Sequence, residues 1–317
     1  MLTPRNLSMT SSSNGPETCP MCGQAANQWE VVVDHVYHGR PGDAVYRCHS
    51  CDVRFLYPGL SPEEEKEFYA KEFEKFMATR AGTEGGWLSP ETHVRSNAGE
   101  VARRMAYLKD VLPPTGRVLE VGCSSGFLVS ELARRGYDCV GVEPSGVFST
   151  FVRESGFPCF DALEDLKNAP EAAAGFDVIM HYYVLEHIAD AEGFLRDQLS
   201  LLRPGGVLIF EVPHANDALT AVYDIPEYKD FIWVISHQWY FSKRSMSYLL
   251  GKLGPSFEVR FDQRYDLSNH MTWARDGKPG GMGKFTDKIG AEVETLYKQA
   301  LISAEFGDTL IGIVRKD

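Results

Sequence analysis

Short apolar runs, each closed by a turn signal, recur through the middle of the chain and alternate with stretches of helical spacing. Val118-Leu119-Glu120-Val121 runs into Gly122, and Phe127, Leu128 and Leu132 then repeat at a helical period. Tyr137 to Val142 is a further short apolar run, closed by Glu143 and Pro144; residues 175–188 and 201–213 resemble a further strand with the helix after it and a turn with its strand. Phe257 to Phe261 alternates like a strand, residues 286–306 read as helix, and Thr309 to Arg315 reads as a closing strand. Strands alternating with helices predict an α/β fold with a largely parallel, Rossmann-like sheet covered by helices on both faces.

The ends of the chain break this rhythm. Residues 1–16 are polar and expected to be disordered. Residues 17–58 carry paired cysteines around a strand-like Trp29 to Val33 and read as a small module of their own. Residues 59–112 form a helical connector. It opens at Ser61-Pro62-Glu63-Glu64-Glu65, where a capping serine, a proline and acids mark a helix start. Phe68, Tyr69, Phe73 and Phe76 follow; packing between modules is the reading for most of them, with Tyr69 the candidate for a lid. A second helix is expected over 96–112. Residues 113–317 then form the main domain, with irregular stretches at 214–245 and 265–285 read as substrate loops at the carboxyl edge of the sheet.

Chemistry concentrates at the first turn. Glu120-Val121-Gly122-Cys123-Ser124-Ser125-Gly126-Phe127 reads as strand, tight turn and helix start. Glycine lets backbone lie against a ligand, and the first helix amides face it. The next run ends at Glu143-Pro144, about twenty residues on, where an acid can accept hydrogen bonds from both hydroxyls of a ribose. A dinucleotide fold also begins this way.

These blocks, with Tyr182-Tyr183-Val184-Leu185-Glu186-His187 and Leu202-Arg203-Pro204-Gly205-Gly206, resemble the class I S-adenosylmethionine (SAM) methyltransferases over residues 115–213. The resemblance implies SAM as cofactor, contacted by Glu120, Gly122, Cys123, Ser124, Gly126, Phe127, Glu143, Pro144 and Tyr183. It places Glu120 near the amino acid end of SAM. Ser124 stands where the family often has a third glycine. The resembling fold also inserts its last strand antiparallel.

Cys19-Pro20-Met21-Cys22 and Cys48-His49-Ser50-Cys51 are two Cys-x-x-Cys knuckles, which read as one tetrahedral zinc site with a structural role. Four thiolates leave no open position on the ion. Cys123, Cys139 and Cys159 sit in apolar segments and read as small buried residues.

The stretch from Phe231 to Ser242 is rich in aromatic residues and contains His237, a candidate general base. It resembles bacterial deoxysugar C-methyltransferases, which join a four-cysteine zinc module to a SAM domain and place a histidine before a Tyr-Phe-Ser string. His237 and Tyr240-Phe241-Ser242 match. Val234 and Ser236 replace the tyrosine and glutamate of that family, and those enzymes usually extend further at the C-terminus. The expected catalytic residues are His237 and His187. The expected substrate contacts are Tyr69, His181, His214, Trp239, Tyr240, Asn269 and His270. A solvated connection or a helix cap is the bland alternative for several of these.

Composition narrows the function classes. With 317 residues, 44% of them hydrophobic, the chain can build one α/β domain and an appendage. A net charge of -12 disfavours an extended nucleic-acid footprint, and no apolar run reaches the length of a membrane span. The expectation is a cytoplasmic enzyme that methylates a small-molecule acceptor, a sugar or nucleotide-linked sugar, at oxygen or carbon. RNA or protein methylation with the zinc module as a docking face, and a catalytically silent interaction module, remain alternatives.

Overall fold

The computed structural model describes residues 15–71, 76, 89–254 and 256–317. Phe73 and most of the polar N-terminus, residues 1–14, lie outside the described residues. The N-terminal part contributes three strands, β1 (Trp29–Val33), β2 (Ala44–Cys48) and β3 (Arg54–Tyr57). Helix α1 (Pro62–Lys71) starts at the expected serine: the Glu64 amide donates to Ser61 Oγ and the Ser61 amide to Glu64 Oε2, a reciprocal cap. The single helix expected over 96–112 is two, α2 (Pro90–Ser96) and α3 (Ala98–Leu108), joined at Asn97.

The main domain runs β4 (Arg117–Val121), α4 (Phe127–Arg134), β5 (Asp138–Val142), α5 (Gly146–Glu154) and β6 (Cys159–Phe160). Two short helices, α6 (Leu163–Lys167) and α7 (Pro170–Ala173), precede β7 (Phe176–Tyr182). Then come α8 (Ala191–Leu201), β8 (Leu202–Pro213), α9 (Pro226–Ile232), β9 (Trp239–Tyr240), α10 (Lys243–Gly251) and β10 (Phe257–Asp262). The chain ends with α11 (Leu267–Asp276), α12 (Thr286–Ile289), α13 (Ala291–Ser303) and β11 (Thr309–Arg315).

Seven strands form the sheet in the order β10-β11-β8-β7-β4-β5-β6. The β7–β8, β4–β7, β4–β5 and β5–β6 pairs are parallel, whereas β11 lies antiparallel between β8 and β10. Strand alternation divides the core. Val118, Val178, Met180, Val207 and Ile209 pack towards Leu108, Leu128 and Leu132 of α3 and α4. Leu119, Ile179, Leu208 and Phe210 pack on the other face with Leu195 of α8 and Met246 and Leu249 of α10.

A second sheet, β1-β2-β3-β9, joins the two parts. Its last strand comes from the 214–245 stretch, with Arg54 opposite Tyr240 and Phe55 opposite Trp239. Phe68 and Phe76 are buried with Val36, Leu56, Trp233 and Tyr240, so these two aromatics pack between the cysteine module and that stretch.

The stretch 265–285, expected as a loop, contains α11. Asp266 caps it by accepting from the Asn269 amide at 2.8 Å, and Gly277 ends it at φ 60°. The helix expected over 286–306 is broken at Gly290, where φ is 89°.

Candidate functional site

The turn after β4 is a cradle that needs its glycines. Gly122 and Gly126 have φ of 72° and 68°. A Cβ on Gly122 would stand 2.6 Å from Val184 Cγ2, and one on Gly126 would stand 2.9 Å from Val152 Cγ2. Ser124 adopts φ 50° where the family often has glycine. Glu143 closes the cradle: Oε2 accepts from the Ser124 amide at 2.7 Å and Oε1 from the Ser145 amide at 2.9 Å. Both oxygens are thereby oriented. Pro144 is exposed beside it.

Glu120 is buried at the end of β4, and its Oε2 has no hydrogen-bond partner among the described residues. Burial pushes its pKa up to about 8, with Arg104 opposing and Glu143 reinforcing the shift. The Arg104 guanidinium lies 3.8 Å from the Tyr182 ring centre and 5.3 Å from that of Phe127. An orphaned carboxylate oxygen, a glycine-lined hollow and an acid with two oriented oxygens fit the ammonium, backbone and ribose of SAM. Cys123 contributes its amide to the Val142 carbonyl, while its sulfur is buried 4.0 Å from Cys159 Sγ. Tyr183 holds φ 56°, with its hydroxyl 2.8 Å from Thr309 Oγ1 and Arg264 stacked 5.2 Å from its ring. His93 of α2 covers the turn, with Nδ1 2.9 Å from Ser125 Oγ.

One turn past Val184, a short 3-10 helix carries Glu186 and His187 towards the segment before β9. His187 Nδ1 is 2.7 Å from both the Tyr69 hydroxyl and the Ser236 carbonyl oxygen. Its Nε2 lies 3.9 Å from Glu186 Oε1. The His187 and His237 rings stand edge to face at 4.8 Å, and His237 lies 5.4 Å from Tyr240. Glu186 is buried, which pushes its pKa up to about 8. Tyr69, His187, His237 and Tyr240 thus converge from three parts of the chain.

The remaining expected contacts go elsewhere. His181 is fully buried on β7, stacked on Phe210 at 4.7 Å and bonded to Gln198 Oε1 at 3.0 Å. Trp239 packs in the core and gives its indole N–H to the Ile188 carbonyl at 2.8 Å. His214 Nδ1 bonds the Gly307 carbonyl at 2.9 Å, beside a surface cavity of about 590 Å³ between Asp52 and Phe306. Neither the histidine cluster nor the glycine turn lines that cavity. Asn269 and His270 lie on α11, bonded to the Gly280 carbonyl at 2.7 Å and the Tyr297 hydroxyl at 2.6 Å.

Glu186, Arg104 and the network around Arg103 were not singled out from sequence. Arg103 makes a two-point bond to Glu211 at 2.7 and 2.8 Å and also reaches Glu100 and Asp262. Glu186 had one available signal, its place before His187. The arginines of α3 had none, because an arginine pair on an amphipathic helix ordinarily faces solvent.

In the N-terminal module the four cysteine sulfurs lie within 4.8 Å of one another. Cys19 Sγ to Cys51 Sγ is 3.8 Å and Cys22 Sγ to Cys48 Sγ is 3.6 Å. A tetrahedron with bonds of about 2.3 Å has edges of about 3.8 Å, so the set fits one zinc ion. Gly23 and Asp52 take φ of 72° and 64° after their knuckles, and their amides return to the Cys19 and Cys48 carbonyls.

Among curated proteins, the chain is 32% identical over 154 residues to a ubiquinone biosynthesis O-methyltransferase of Rhizobium rhizogenes, covering 43% of this chain and 60% of the relative. It is 36% identical over 96 residues to one named alike in Rhizobium etli, covering 29% of this chain and 39% of the relative. The match therefore spans less than two thirds of these relatives. Among solved structures, a SAM-dependent methyltransferase of Archaeoglobus fulgidus aligns with a TM-score of 0.49 at 18% identity, covering 78% of this chain and all of that one. The glycine cradle and the histidine cluster both fall within residues 93–256, just over half of the chain, which match the family model described as a methyltransferase domain; the chain belongs to that family of SAM-dependent enzymes.

Proposed function

We propose that this chain transfers a methyl group from SAM to a hydroxyl of a small-molecule acceptor bound beside His187 and His237. The observation that carries the reading is the juxtaposition of these imidazoles with Val184, which touches the glycine cradle. Bound SAM supplies an electrophilic methyl on a sulfonium. Glu143 holds the ribose through its two oriented oxygens, and Glu120 receives the ammonium end. His237 takes the acceptor's proton, and His187 is held in place by the Ser236 carbonyl and the Tyr69 hydroxyl. Tyr69 and Tyr240 flank the pair and shield it from water.

The proposed acceptor is a sugar or nucleotide-linked sugar, supported by the likeness of the four-cysteine module and the His237 to Ser242 segment to deoxysugar enzymes. A ubiquinone-related acceptor is the second reading, favoured by the names of the curated relatives. Incubation with isotopically labelled SAM and both acceptor classes tests this. Label in a sugar supports the first reading; label confined to quinone precursors replaces it with the second.

We assign a structural zinc to Cys19, Cys22, Cys48 and Cys51. The module is buried against the methyltransferase domain: Cys19, Cys48 and Cys51 share a core with Leu208 and Val212, and Lys252 donates to the Met21 carbonyl at 2.7 Å. That burial favours stapling the fold over docking an RNA or protein. Zinc-bound thiolates suit a reducing compartment, so the proposal places the reaction in the cytoplasm. Among the described residues, no helix is long and apolar enough to cross a membrane.

A further inference from the structure

Glu186, His187 and His237 each present one ligand atom, and the three atoms lie within 4.8 Å of one another. We propose that they form a second metal site, for a divalent first-row cation, separate from the four thiolates. Its chemical role rests on the reading of this cluster as the acceptor site; its existence does not.

Three observations carry the assignment. The first is the setting of His187. Its Nδ1 lies 2.7 Å from the Ser236 carbonyl oxygen, and its Nε2 stands on the Glu186 side, 3.9 Å from Oε1. A ligating histidine almost always gives its other ring N–H to a carbonyl or carboxylate in this way. The second is the gap. At 3.9 Å the nitrogen and oxygen are too far apart for a hydrogen bond. Ligand bonds of about 2.1 Å place neighbouring donors roughly 3 to 3.5 Å apart, so a small side-chain adjustment brings both onto one ion. The third is Glu186 Oε2, which is buried without a hydrogen-bond partner among the described residues. An unmatched buried carboxylate oxygen is costly, and a cation offsets that cost.

The two segments are also tied at the backbone, because the Gln238 amide donates to the Glu186 carbonyl at 2.8 Å. His237 therefore keeps its place opposite the Glu186–His187 pair. Two imidazoles and one carboxylate suit zinc, manganese or iron better than magnesium or calcium, which favour all-oxygen sites. Three protein ligands leave a position for an acceptor oxygen. An alcohol or phenol bound there loses its proton to solvent more readily, which makes it nucleophilic near neutral pH. With the ion in place, His187 and His237 act as ligands and no imidazole is needed as base.

The test is a metal count on the full chain. Protein equilibrated with excess zinc and desalted should carry about two ions per chain by mass spectrometry. His237→Ala and Glu186→Gln should each carry about one, on the thiolates. Cobalt loading gives a second readout: the thiolate-to-cobalt charge-transfer band should persist in both variants, while the weaker bands of a nitrogen and oxygen site disappear. One ion in the unaltered protein, or two in both variants, overturns the proposal. The count needs no acceptor, so a failed methyl-transfer assay leaves it standing. A count of one leaves the transfer reading intact with His237 as base.

Discussion

Removing the Glu143 carboxylate should separate SAM binding from folding. Its two oxygens accept the Ser124 and Ser145 amides at 2.7 and 2.9 Å, one on each side of the cradle. With SAM bound, the same oxygens are expected to take the ribose hydroxyls. A hydrogen bond to a charged group contributes about 1.5 to 3 kcal/mol. The net loss of a single such bond in Glu143→Ala would therefore weaken SAM binding by roughly ten- to 150-fold. Glu143→Gln should rescue little. Both carboxylate oxygens face backbone N–H groups, so one of them would be replaced by an NH₂ that meets another donor. Calorimetric titration with S-adenosylhomocysteine reads the affinity, and thermal unfolding of the ligand-free variant checks the fold. Unchanged affinity in Glu143→Ala would refute the placement of the ribose and reopen the dinucleotide reading.

Cys22→Ser should release the zinc and raise amide exchange in residues 236–242 as well as in the module, because β9 is held to β3; exchange confined to residues 17–58 would contradict the shared sheet. His237→Ala should lower turnover by about 10²-fold or more while leaving SAM affinity near normal, whether the imidazole is base or ligand; normal turnover would remove it from the site. Glu120 should make SAM binding release protons. Burial raises its pKa to about 8, so near neutral pH the ligand-free acid is mostly protonated, and an arriving ammonium favours the carboxylate. Proton release measured across buffers should be present at pH 7 and fade above pH 8. The same shift means that Glu120 stabilises the ligand-free fold below its unfolded pKa and loses that contribution as pH rises through about 8.

The parallel strands were legible because each is a short apolar run with its own turn signal, and Gly122 and Gly126 marked the cradle directly. The knuckles were legible because two short spacings suffice to bring four cysteine sulfurs together. The helix over Leu267–Asp276 was missed although Asp266 and Gly277 are its caps, because the glycine-rich stretch that follows reads as loop. His181 was expected among the substrate contacts. Alternation instead puts it on the α8 face against Gln198. Asn269 and His270 were grouped with the site by their sequence neighbourhood, but α11 directs them to Gly280 and Tyr297. Arg103, Arg104 and Glu186 stayed hidden because charge burial depends on partners far away in sequence, such as Glu211 for Arg103.

The structure of the full chain with S-adenosylhomocysteine bound tests the central claim most directly. The account predicts ribose hydroxyls on the Glu143 carboxylate, the amino acid end at Glu120 over Gly122 to Gly126, and the sulfur directed towards His187 and His237. A ligand lying outside the cradle, or one whose sulfur points away from the two histidines, would contradict it.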